Sequence, residues 1–136
     1  MYKRLLFTIL LISCSFTLRA ETAEQALVNI CAITKSDDIV QFRMKIQHVR
    51  NNFGLKLKDY YSGVRCNGQS ILRHAIRNES IQIGKLLIKK LSKKFIDGRE
   101  EDGMTPFEWA SKRGFYGSPV TRELKKRLNG DVFSLL

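Results

Sequence analysis

The chain has 136 residues, room for one domain and little else, and carries a formal net charge of +11 from 24 lysines and arginines against 13 carboxylates. That surplus favours anionic partners, whether acidic proteins, lipid head groups or polyanions, without choosing among them. The two histidines stand at no metal-ligand spacing to a cysteine or carboxylate, which argues against a zinc enzyme.

The first twenty residues read as an address. Lys3 and Arg4 make a positive start, Leu5 to Ile12 an apolar run, and Ser13, Cys14 and Ser15 supply small residues. Ala20 stands in the last position before cleavage and Glu21 opens the mature chain. This is the layout of a secretory signal, and its apolar run is far short of the roughly 20 residues a spanning helix needs. Leu11-Ile12-Ser13-Cys14 also resembles the lipobox of bacterial lipoproteins, which would instead lipidate Cys14 and anchor the protein to a membrane. Signal removal takes Lys3, Arg4 and Arg19 away and leaves a charge of about +8 on residues 21–136. Either processing leaves Cys31 and Cys66, and two cysteines in an oxidising compartment predict one disulfide. Its loop of about 35 residues is valued at roughly 4 kcal/mol by the chain-entropy model.

From Thr22 to Thr34 the apolar face Leu27, Ile30, Cys31 and Thr34 predicts a helix. Ser36 is its successor's N-cap, with Asp37 and Asp38 in a first turn that favours negative charge. Ile39, Phe42, Ile46 and Val49 continue that second helix until Asn51-Asn52-Phe53-Gly54 interrupts it. Residues 21–66 thus form an N-terminal helical cap closed by the disulfide, in which Leu55 to Arg65 suits a strand and a short helix equally. After the Asn67-Gly68 turn, Ser70 caps a helix that buries Ile71, Leu72, Ala75 and Ile76. A helix from Ile81 to Lys93 buries Ile83, Leu86, Leu87 and Leu91 and exposes Lys85, Lys89, Lys90 and Lys93. Beyond the polar connector Asp97 to Gly103, Thr105 caps and Pro106 opens a helix that turns Phe107, Trp109 and Ala110 inward and stops at Gly114. Ser118-Pro119 starts the last helix, with Val120, Leu124 and Leu128 on one face and a stop at Asn129-Gly130. Val132, Phe133, Leu135 and Leu136 then fold back as a cap.

Two of these units repeat about 35 positions apart, Gly68 to Ala75 and Gly103 to Ala110, and such a period points to stacked helical repeats. The residues resemble the ankyrin repeat, whose signature runs Gly-x-Thr-Pro-Leu-His-x-Ala before a glycine stop and an amphipathic helix. Gly103, Thr105, Pro106, Phe107, Ala110 and Gly114 match it well, Gly68, Ser70, Leu72 and Ala75 more loosely, and Leu27 to Ile46 is a degenerate third unit. The signature histidine is replaced by Arg73 and Glu108, and Glu79 stands where a stop glycine belongs. The resemblance implies an all-α stack, two clear repeats and one degenerate, over residues 67–136 and the preceding cap. Cys31 with Cys66-Asn67-Gly68 is also similar to a small uncharacterised family of exported bacterial proteins, which implies location and no activity.

No Gly-rich phosphate loop, nucleophile elbow or Cys-x-x-Cys motif is present, so no enzyme and no cofactor is expected. His74 reads as an exposed helix residue, and Asp37-Asp38 as a helix start. The expected function is a protein-binding module in the periplasm or outside the cell, with acidic proteins among its expected partners. The resemblance implies contacts through Arg73, His74, Arg77, Asn78, Glu108, Lys112 and Arg113. A second reading takes the lysine face, with Arg122, Lys125, Lys126 and Arg127, as a surface for anionic lipid or envelope polyanions. A third is inhibition of an envelope hydrolase. Export separates the chain from nucleic acid, which is not expected as a partner.

Overall fold

The computed structural model describes residues 19–133. The body of the expected signal, Cys14 included, and residues 134–136 of the expected C-terminal cap lie outside that range. Among the described residues there are nine α-helices and no strand, only an isolated bridge between Cys66 and Gln69. The all-α expectation holds. None of these helices is long and apolar enough to cross a membrane.

The helices are α1 (Ala23–Ala26), α2 (Ile30–Lys35), α3 (Ile39–Phe53), α4 (Leu57–Tyr60), α5 (Ile71–Arg77), α6 (Ile81–Lys90), α7 (Lys93–Ile96), α8 (Pro106–Lys112) and α9 (Pro119–Phe133). Three of their pairs, α2–α3, α5–α6 and α8–α9, are joined in the same way. Each first helix ends in a residue with left-handed backbone: Asp37 (φ 54°), Glu79 (φ 53°) and Gly114 (φ 83°). The next N–H then reaches back to a carbonyl five residues earlier, Asp38 to Ile33 (3.3 Å), Ser80 to Ala75 (2.9 Å) and Phe115 to Ala110 (2.8 Å). This is the Schellman arrangement, which satisfies carbonyls that a helix end would otherwise orphan.

The pairs stack side by side. The first helices form one row, α2 on α5 and α5 on α8, and the second helices another, α3 on α6 and α6 on α9. Between the rows lie Phe42, Val49, Ile71, Leu72, Ala75, Ile76, Ile83, Leu87, Trp109, Ala110, Val120 and Leu124, all without solvent exposure. Gly84 lets α6 and α9 approach closely, since a Cβ placed there would lie 2.6 and 2.7 Å from the two Val120 methyls.

Polar joints run between units. His74 on α5 donates from Nε2 to the Cys31 carbonyl of α2 (3.1 Å). The Ser80 hydroxyl donates to the Thr34 carbonyl. Asp37 accepts from the N–H groups of Gln82 (3.1 Å) and Ile83 (2.9 Å), capping α6 from the preceding unit. The disulfide joins Cys31 on α2 to Cys66 in the turn before α5, with Cα atoms 5.5 Å apart. The pairing is the one expected, and it pins the first unit to the turn that opens the second.

Several local expectations are corrected. The helix over 22–34 is broken at residues 27–29, where Asn29 is left-handed (φ 69°). Ser36 ends α2, and the N-cap of α3 is Asp38, which accepts from the Gln41 N–H at 3.0 Å. The helix expected to reach Lys93 stops at Lys90, because Leu91 is extended and buried, and Lys93 opens α7. Asn129-Gly130 does not end α9, which continues to Phe133. In the segment that suited strand or helix, α4 is a short helix whose Asp59 carboxylate accepts from the Lys56 N–H (2.7 Å).

Candidate binding groove

The repeat-signature residues sit where their chemistry is used. Asn67 (φ 53°) and Gly68 (φ 77°) are both left-handed, and Cys66 and Gln69 exchange two backbone hydrogen bonds across them. That is the geometry of a tight two-residue hairpin turn. The second turn is built differently, since only Gly103 (φ 78°) is left-handed and the Glu100 carbonyl accepts from its N–H. Ser70 caps α5 by accepting from the Arg73 N–H (3.3 Å). Thr105 and Glu108 form a capping box around Pro106, each side chain accepting the other's N–H (3.2 and 3.1 Å). The Thr105 N–H holds the Glu108 carboxyl below its ordinary range, and Arg99 adds to this. Leu72, Ala75 and Ala110 are buried and Phe107 packs on the same core.

The expected contact surface is only partly a surface. Arg73 is 2 % exposed and His74 6 % exposed, so neither is available to a partner. Both are turned inward because α5 is the middle helix of its row, flanked by α2 and α8. Arg73 stands where the ankyrin signature has histidine and reaches forward. It donates to both Asp102 oxygens (2.7 and 2.9 Å) and to the Met104 carbonyl (2.8 Å), with Nε 3.1 Å from Glu100. Those bonds push the Asp102 carboxyl down to about 2. His74 reaches backward to Cys31, and burial lowers its affinity for a proton. Asn78 is half-buried and donates to the His74 carbonyl (2.8 Å), while Glu108 is occupied in its capping box. What remains exposed of that set is Arg77, Lys112 and Arg113.

The most distinctive surface lies on the other row. A groove of about 940 Å³ runs between α3 and α6 and ends at α4. From α3 come Arg43, Ile46, Gln47, Arg50 and Asn51, which share one face at helical spacing. From α4 and its approach come Lys56, Leu57 and Lys58, and from α6 and the residues after it Leu86, Lys89, Lys90 and Ser92. The lining thus holds six cations and no carboxylate, around an apolar floor of Ile46, Leu57 and Leu86. None of the six makes an ion pair among the described residues.

The sequence pattern singles out Lys89 and Lys90 but not the α3 and α4 half. The signal for that half is Arg43, Gln47 and Arg50, which fall at i, i+4 and i+7. The other expected cations are dispersed. Lys85 is exposed on α6, Lys93 belongs to α7, and Arg122, Lys126 and Arg127 lie along α9. Lys125 is tied to Tyr116, donating to its hydroxyl (2.8 Å) over its ring.

No curated protein and no solved structure matches the chain. Residues 30–97 match the model of a protein family, a span that runs from α2 through α7 and contains both cysteines and the whole groove. That span is half of the chain, and the protein belongs to the family described as Protein of unknown function (DUF3718).

Proposed function

We propose that the protein is an exported, non-enzymatic binding module, an ankyrin-like stack of three helix pairs whose partner is anionic. The observation that carries this reading is the segregation of charge. The carboxylates of Asp37, Asp38, Asp59, Asp102 and Glu108 are each engaged in a cap or an ion pair, whereas no carboxylate lines the groove and its six cations make no ion pair among the described residues. The ankyrin-like reading draws support from the shared left-handed stops and the two rows of helices. It departs from that pattern in placing the binding surface on the second-helix row. Arg77, Lys112 and Arg113, on the first-helix row, are the secondary contact surface.

The Cys31–Cys66 bridge is compatible with a periplasmic or extracellular location. Cleavage after Ala20 frees the domain, and lipidation at Cys14 would tether it instead. Mass spectrometry of the mature N-terminus distinguishes a chain starting at Glu21 from a lipidated one. The binding claim is tested by titrating the full, oxidised chain with polyglutamate at rising salt. Affinity is expected to fall steeply across about 0.05 to 0.5 M salt, as exposed charges are screened. Salt-independent binding, or no binding at low salt, refutes the reading.

A further inference from the structure

Resting on that reading, we propose that the groove between α3 and α6 receives an acidic amphipathic helix from a protein partner. Its apolar residues would meet Ile46, Leu57 and Leu86, and its carboxylates the flanking arginines and lysines.

Shape and charge together select this occupant. Arg43 and Arg50 are seven residues apart on α3, which places them about 10 Å apart along the groove. The cations therefore border a strip instead of converging on one point, as they would for a single phosphate. Between them the floor is apolar: Ile46 is half-buried and carries most of the accessible surface, while Leu86 and Leu57, 8 % and 9 % exposed, show only their edges. A simple polyanion would leave Ile46 and the leucine edges beside it uncovered. A membrane surface is flat and would reach the rim but not the floor. An amphipathic helix presents apolar side chains at i, i+4 and i+7 with carboxylates beside them, the complement of what the groove offers. Gln47 and Asn51, on the same face of α3, supply neutral donors and acceptors for its polar edge.

The probe is a labelled peptide of about 15 residues with leucines at i, i+4 and i+7 and glutamates between them. A scrambled peptide of the same composition, polyglutamate and vesicles of anionic phosphatidylglycerol complete the set. The helical peptide is expected to bind at least about tenfold more tightly than its scramble and to gain helical circular dichroism on binding. The double variant R50E/K89E changes exposed residues only and should weaken binding by at least about tenfold. Ile46→Asn should weaken the helical peptide and leave the scramble unchanged. If it unfolds, R50E/K89E with the peptide comparison still decides. Equal binding of helix and scramble, or vesicle binding that is lost in R50E/K89E and competes fully with the peptide, overturns the proposal. If polyglutamate binds but the helix gains nothing, this inference alone fails. If nothing anionic binds, the underlying reading fails with it.

Discussion

Replacing Gly84 by alanine tests the stacking of the second-helix row at its tightest point. The new Cβ would stand 2.6 Å and 2.7 Å from the two methyls of Val120, which is itself fully buried. Comfortable carbon contacts lie at about 3.5–4.0 Å, so α6 and α9 must separate by roughly 1 Å or Val120 must leave its rotamer. Overpacking of this kind costs about 1–3 kcal/mol. Alanine's better helix propensity returns up to about 1 kcal/mol. The expected outcome is a net loss near 1 kcal/mol in urea unfolding followed by circular dichroism. Val120→Ala alone should cost roughly 2 kcal/mol through its cavity. In the double variant G84A/V120A the methyl introduced at position 84 occupies the vacated space, so the loss should fall short of the sum by about 1–2 kcal/mol. A neutral or stabilising Gly84→Ala, or a strictly additive cycle, would mean that the two helices do not approach as described and that the stacked row is wrong.

Glu79→Gly should stabilise the fold by about 0.5–1 kcal/mol, because a left-handed residue with a side chain costs about 1–2 kcal/mol and glycine's extra unfolded-state entropy takes part of that back. Thermal unfolding checks this, and no gain in melting temperature would contradict the φ of 53° at that position. Removing the bridge as C31A/C66A opens the 35-residue separation and should cost about 4 kcal/mol, roughly 15 °C in melting temperature. A loss below about 1 kcal/mol would place the joint between the first two units elsewhere. His74 predicts a pH dependence. Burial depresses its folded pKa below the ordinary 6.5, so the unfolded chain binds the proton more readily. The stability it contributes is complete above pH 6.5 and is lost as the pH falls from there toward the folded value. His74→Gln should flatten that part of the profile, and a slope left unchanged between about pH 7.5 and 5.5 would refute the assignment.

How much of this is legible in the sequence depends on the range of the interaction. Caps and stops are local: Ser70, Thr105-Pro106 and Gly114 declare themselves within a few residues, and each does what its chemistry requires. Glu79 is legible for the same reason, as a misfit in a position that demands left-handed backbone. Arg73 and His74 are not. Their partners Asp102 and Cys31 lie 29 and 43 residues away, so a polar pair inside an apolar pattern reads as a solvated edge. Asp37 reads as part of its own helix start, yet its carboxylate caps a helix 45 residues further on. The groove is half visible for a related cause. The α6 lysines form a run, whereas the α3 cations are spaced among neutral residues and meet that run only when the second helices stack.

The distribution of charge has a cost that the fold itself does not offset. Neither α3 nor α6 contains a carboxylate, and Lys85 and Lys89 on α6 form a like-charge i, i+4 pair, unfavourable by about 0.2–0.5 kcal/mol. The helix dipole accounts for Lys89 and Lys90 in the last turn of α6. It does not account for Arg43 in the body of α3. At Lys56, the N-cap of α4, it favours the opposite sign, which Asp59 in the first turn supplies. Meanwhile Asp102 and Glu108 are committed to Arg73 and Arg99, Asp37 and Asp38 to helix caps, and no carboxylate lines the groove. Local rules broken without internal compensation mark the places where a sequence answers to something besides its own stability. On the proposed reading the missing term is negative charge delivered from outside, along a groove whose six cations border Ile46, Leu57 and Leu86.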